Sequence, residues 1–174
     1  MHITDFVEEY RRWRVTAEKA IAQVPDDQLN RILSKDGNSI AMLMRHVGGN
    51  LASRFSDYLT SDGEKPWRDR DGEFSEGPFS RAEAQALWDK GWDTLQATLA
   101  PLTDDDLDRM IVLRRQTATV HASLTRSLSH IANHCGQIII LARILTSDWQ
   151  WLSIPKGKSR EYNENPTLEK APSR

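Results

Sequence analysis

The sequence predicts an all-α protein, a four-helix bundle. Three observations predict it. Four long stretches carry apolar side chains at three- and four-residue steps, the period of a helix with one buried face. Each stretch is bounded by residues that cap or break helices. Little between them alternates as a strand does, and helices with one apolar face bury it by packing on one another.

The first helix is expected over residues 4–24, where Phe6, Tyr10, Trp13, Ala17, Ala20 and Val24 fall on one stripe and Pro25-Asp26-Asp27 stops it. Asp36-Gly37-Asn38-Ser39 forms a turn, and Ser39 offers an N-cap to a second helix over 39–59. The third opens at Ser80-Arg81-Ala82-Glu83, a capping box in which Ser80 and Glu83 each satisfy a free backbone donor. It runs to 99, and Pro101 ends it. Thr103 caps a short helical turn, and the fourth long helix covers 120–145. Residues 110–120 have some strand character but only one weak partner candidate, so they are expected as an extended connection. Residues 61–79 form a long charged loop, and such loops in small domains tend to be functional or mobile. The bundle is assigned to 1–150, with 151–174 as a polar, proline-containing tail of the same domain.

Composition excludes several classes. The 174 residues suit one domain with a real core. A formal charge of −2 argues against a protein that grips nucleic acid through phosphates. A single cysteine excludes an intramolecular disulfide framework and suits a reducing compartment. MHITDFVEEYRRWR is charged and amphipathic, without the pattern of a signal peptide. The apolar run at 138–141 is far too short to span a bilayer. These features predict a soluble cytoplasmic protein with no nucleic-acid or membrane partner.

The chemistry sits in SLSHIANHCGQ, residues 127–137. His130 and His134 are four apart, so on a helix they share a side, one turn from each other. Leu124, Leu128, Ile131, Cys135, Ile138 and Ala142 trace an apolar stripe beside them, which places the imidazoles at the edge of the core. Two such imidazoles need partners for both ring nitrogens, and a metal ion satisfies one nitrogen of each. Ile131 stands where the His-Glu-x-x-His metalloproteases carry their glutamate, which excludes that class. His46, flanked by Met42, Leu43, Val47 and Leu51, also borders the core and is the third expected ligand. Three histidines on two helices make a centre with an open position, as catalytic sites have. Asn50 and Gln137 are candidates to bond a ligating imidazole, and Arg126 to meet an anionic substrate group or a carboxylate such as Asp57. Gly48 and Gly49 allow two readings, a close helix approach or room kept for a ligand. His2 and His121 look incidental, and Cys135 reads as a small core residue.

One histidine on the second helix, followed by His-x-x-x-His-x-Gly-Gln on the last, resembles the DinB/YfiT-like superfamily. Three segments are similar to one uncharacterised DinB subfamily: NSIAMLMRHVGGNLASRFSDYLTSDGEKPWRDRDGEF (38–74), RSLSHIANHCGQIIILAR (126–143) and WLSIPKGKS (151–159). The resemblance implies an up-down-down-up bundle and a divalent metal, zinc or nickel, on His46, His130 and His134, and three imidazoles suit iron as well. It also implies small-molecule chemistry with a low-molecular-weight thiol, and a homodimer. One departure stands out: the family pattern places a histidine just before the Thr-Val that opens the last helix, and here that position is Ala118.

A metal on three neutral imidazoles lowers the pKa of a bound thiol or water. The favoured expectation is thiol-dependent, S-transferase-like chemistry, since no separate base sits at the right spacing. The alternatives are a metal-dependent hydrolase and a non-enzymatic, metal-stapled interaction protein with Trp67, Trp149 and Trp151 as anchors. The mixed-charge run Lys65, Arg68, Asp69, Arg70 and Asp71 reads either as a solvated loop or as a lid over the metal.

Overall fold

Helix starts in this chain are made by short polar side chains. The Ser39 hydroxyl accepts from the Met42 amide, Ser80 from Glu83, and Thr119 from Ala122. Each bond satisfies one of the amides that a first helical turn leaves open. A computed structural model of the chain describes residues 1–164 and 166. It is mostly helical, with four long helices: α1 (Ile3–Ile21), α2 (Ile40–Phe55), α4 (Arg81–Leu99) and α5 (Val120–Leu145). Two short ones, α3 (Arg70–Glu73) and α6 (Ser159–Glu164), complete the set. The remainder of the expected tail, 165 and 167–174, lies outside the described residues.

The apolar stripes are buried as expected. Phe6, Tyr10, Ala17 and Ala20 of α1 meet Leu124, Ile131, Cys135, Ile138 and Ala142 of α5 in one core. α2 packs along α4, and α1 along α5, with lighter contacts between α2 and α5 and between α1 and α4. Nearly every residue of α2 is buried, so it is the innermost of the four. Among the described residues no helix is long and apolar enough to cross a membrane.

Two expectations are corrected. Helix α2 stops at Phe55 rather than 59, because Ser56 is extended and Asp57 is left-handed with φ 49°. Residues 110–120 are not a bare connection but a hairpin, β1 (Met110–Leu113) and β2 (Gln116–Thr119), paired antiparallel with Leu113 opposite Gln116. Its two-residue turn, Arg114-Arg115, has φ 51° and 63°. Both amides donate to the Asp62 carboxylate, at 2.8 and 2.9 Å. A remote acid thus stabilises a turn that normally asks for Asn-Gly.

Candidate metal centre

Three imidazoles meet where α2 faces α5. His46 is buried, while His130 and His134 are half-buried. The Nε2 of His130 lies 3.3 Å from that of His46 and 3.2 Å from that of His134. Nitrogens bound tetrahedrally at about 2.0–2.1 Å from one ion sit about 3.3 Å apart, so the spacing is that of a ligand set.

The far sides of the rings say which nitrogens are free. His46 Nδ1 lies 2.9 Å from Glu73 Oε2, and His134 Nδ1 lies 3.3 Å from Gln137 Oε1. Both oxygens can only accept, so each Nδ1 is assigned the proton and each Nε2 keeps its lone pair. The lone pairs of His46 and His134 then point at His130 Nε2. Either a proton on His130 Nε2 or a cation at the centre meets these lone pairs. Burial, and then the neighbouring histidines, hold the pKa of His130 down to about 3; burial and His46 lower that of His134. All these effects favour neutral rings, the form that ligates. Among the described residues these three histidines are the group of side chains able to hold a metal ion.

His46 has a support that sequence reasoning missed. The 61–79 segment comes back across α2, and Asp69 caps the short helix α3 by accepting from the Gly72 amide. That turn aims Glu73 at His46. Arg68 clamps the same carboxylate with two parallel bonds, Nε to Oε1 and Nη2 to Oε2, each 2.8 Å. Burial works to raise the pKa of Glu73, but Arg68 and His46 outweigh it and hold the carboxyl below its usual range. Phe74 stacks on the His46 ring with centroids 4.5 Å apart, and Arg45 donates to the Glu73 carbonyl. The loop is therefore a strap that orients the His46 ring. Carboxylate–histidine pairs of this kind fix the ring and raise its basicity toward a metal. One signal lay in the sequence: Gly49, three residues after His46. A Cβ there would stand 2.1 Å from Glu73 Oε1. Gly48 serves the other purpose, for a Cβ on it would meet the Leu87 carbonyl oxygen of α4 at 2.2 Å.

The other candidates divide. Gln137 positions His134 and is itself held by a 2.8 Å bond to Asn133. Asn50 is buried but bonds no imidazole, and its Oδ1 has no partner among the described residues. Arg126 is exposed and forms no ion pair with Asp57 among the described residues. Cys135 is a buried core thiol whose pKa burial pushes up to about 12, which fits neither a nucleophile nor a ligand. Ala118 lies in β2, paired with Ile111. His2 pairs with Asp104, and His121 packs edge-on against Phe6.

The fold and site thus define a mostly helical protein with a three-histidine cluster that can hold a metal ion. Its sequence matches, over residues 1–158, the family described as "Protein of unknown function (DUF1572)", a DinB-like family, and the chain belongs to that family. No curated protein matches the chain.

Proposed function

We propose that the chain is a divalent-metal-dependent enzyme acting on a small molecule, with thiol-dependent S-transferase-like chemistry as the favoured reaction. The observation that carries this is the convergence of three Nε2 atoms, two of them backed by Glu73 and Gln137 on the opposite nitrogen. Packing alone does not require such backing; ligand orientation does. A divalent ion held there supplies a Lewis acid able to lower the pKa of a thiol or a water. The chain's own part is to keep the three rings neutral, to hold His46 through Glu73 and Arg68, and to hold His134 through Gln137.

The rest of the reading follows from the DinB-like family. The four mutually packed helices are taken as an up-down-down-up bundle, the protein as cytoplasmic, and the working form as a homodimer. Hydrolysis is the second reaction at the same centre. The non-enzymatic alternative, a metal staple, requires a closed fourth protein ligand. The cluster among the described residues offers three, which favours the enzyme.

The test is metal content by mass spectrometry on untagged protein purified without added metal, with His134→Ala beside it. About one ion per chain in the parent, lost in the variant, is the expected outcome. No metal in the parent, and no uptake on titration, would overturn the proposal.

A further inference from the structure

Helix α2 carries His46, Asn50 and Arg54 at four-residue steps, so they climb one side of the helix. Arg54 is mostly buried, and its Nε and Nη1 have no hydrogen-bond partner among the described residues. No carboxylate pairs with it there either. Each of the other cations near it is exposed or balanced. Arg68 is held by Glu73, Arg114 lies 2.8 Å from Glu64, and Arg126 is in solvent.

What surrounds Arg54 cannot neutralise it. Tyr10 and Tyr58 lie close, but burial raises both phenols, Tyr58 to about 12, so they stay uncharged. Arg114, Arg126 and Arg68 add repulsion, and burial is the largest influence lowering the pKa of Arg54. An arginine nevertheless stays charged inside proteins. On α5, Ser123 and Ser127 are buried beside Tyr58 and Tyr10, and their hydroxyls hydrogen-bond those phenols rather than Arg54. His130, further along the same face of α5, feels the Arg54 charge. The α2 stripe therefore holds the unused Arg54 donors, the unused Asn50 acceptor and one uncompensated cation among the described residues, and it runs up to His46. Burying a charge without a partner destabilises a fold, and such a group persists in a natural sequence where function needs it.

We propose that Arg54 is the anion-recognition residue of this site: it receives a carboxylate of the small molecule whose other end reaches the three histidines. The planar fork of a guanidinium matches a carboxylate with two parallel bonds. Arg54 lies eight residues beyond His46, about 12 Å along the helix axis. Long side chains on a helix lean back toward its N-terminus, which turns Arg54 toward His46. The substrate class this selects is a small thiol or electrophile with a carboxylate a few bonds from its reacting atom. The proposal rests on the three histidines being a metal centre, and its test separates the two.

The experiment loads the full chain with cobalt(II) and titrates ω-mercaptocarboxylates of two to five carbons against ω-mercaptoalcohols of matched length, followed by the sulfur-to-cobalt absorption. In the parent, one chain length of the carboxylate binds at least tenfold more tightly than its alcohol. In Arg54→Gln and Arg54→Met the preference falls below twofold while cobalt content is unchanged. Arg54→Met melts at or above the parent temperature, because it removes an unpaired charge. Arg54→Lys keeps part of the preference. Equal binding of acid and alcohol in the parent overturns the proposal. So does a preference retained in both variants, or a lowered melting temperature in Arg54→Met, which marks a structural role. If no cobalt binds, the metal centre falls, and the anion site is decided on metal-free protein. A melting rise with propionate but not propionamide, absent in Arg54→Gln, supports it; equal rises with both overturn it.

Discussion

Helix α2 has two faces that solve opposite problems. The Gly48 face lies against α4 so closely that the two backbones touch: a Cβ on Gly91 of α4 would meet the Gly48 carbonyl oxygen at 2.4 Å. At the Gly48–Gly91 crossing there is no room for a side chain. The His46 face, about 200° around the helix, is lined with polar atoms. Some of these are strapped in place, as His46 is by Glu73. Others, Asn50 Oδ1 and Arg54 Nε and Nη1, are left without partners among the described residues. A helix pinned this closely on one side can hold strained polar groups on the other, where preorganisation matters more than stability.

The largest expected effect breaks the Gly48 face. Gly48→Val forces backbone apart from backbone, and overpacking of that kind costs about 3 kcal/mol or more. Urea denaturation should show the loss, while the protein that remains folded binds metal with the parent stoichiometry. A tolerated valine would mean that α2 and α4 slide freely, and the contrast between the faces would lose its basis.

Next is Glu73→Ala, which attacks the polar face. Removing an orienting carboxylate from a ligating histidine typically costs 10–100-fold in metal affinity. Competition with a chromophoric chelator reads this directly. It also leaves the Arg68 guanidinium buried and unpaired, so stability falls as well. Glu73→Gln keeps the shape, isolates the charge, and should show the affinity loss at smaller stability cost. Unchanged metal affinity in both would reduce the strap to a covering loop.

Gly49→Ala sharpens the comparison because it sits beside Gly48 and should behave oppositely. The added methyl meets Glu73 Oε1, the end of a side chain that can swing away only by loosening its bonds to Arg68 and His46. Alanine favours the helix by roughly 1 kcal/mol, which offsets the loosened Arg68 pairing, so stability should fall less than in Glu73→Ala. Metal affinity should fall about tenfold, toward the Glu73 variants. Two adjacent glycines, one change each, would then report separately on packing and on ligand orientation. An affinity equal to the parent would show that Glu73 has another way to reach His46.

How much of this was legible in the sequence follows the range of each interaction. The helices were, since their stripes and caps are local: Ser80 and Glu83 declare a helix start three residues apart, and the α5 bounds match expectation at both ends. The three histidines were legible because His130 and His134 announce a shared face, and only the meeting with α2 had to be inferred. Glu73 was not, because its function depends on the chain doubling back over α2, and no periodicity encodes that return. Gly49 recorded it, but as an absence of side chain, which reads equally as packing. Arg54 sat in plain view at the His46-Asn50-Arg54 spacing. A charged residue there reads by default as solvated, and only the lack of a partner shows otherwise. The hairpin failed for the plainest reason: its turn carries Arg-Arg instead of glycine.

That turn gives the smallest effect and the cleanest control. Arg114 and Arg115 are both left-handed, a conformation costing an L-residue about 1 kcal/mol relative to glycine. Arg114 recovers part of this through Glu64, whereas Arg115 is exposed and lends only its backbone amide to Asp62. Arg115→Gly keeps that amide, so the Asp62 bond survives and the strain goes. Against this, glycine makes the unfolded chain more flexible. The net should be a gain of about 0.5 kcal/mol, seen as a higher urea midpoint at unchanged slope. Asp62 stands near the start of the strap that ends at Glu73, so the same variant asks whether firming the anchor firms the site. Since Arg68 and Asp69 already fix Glu73 locally, metal affinity should stay at the parent value. A rise in affinity together with stability would mean instead that the strap moves as one body with the hairpin, and that the polar face of α2 is only as rigid as a turn of two arginines allows.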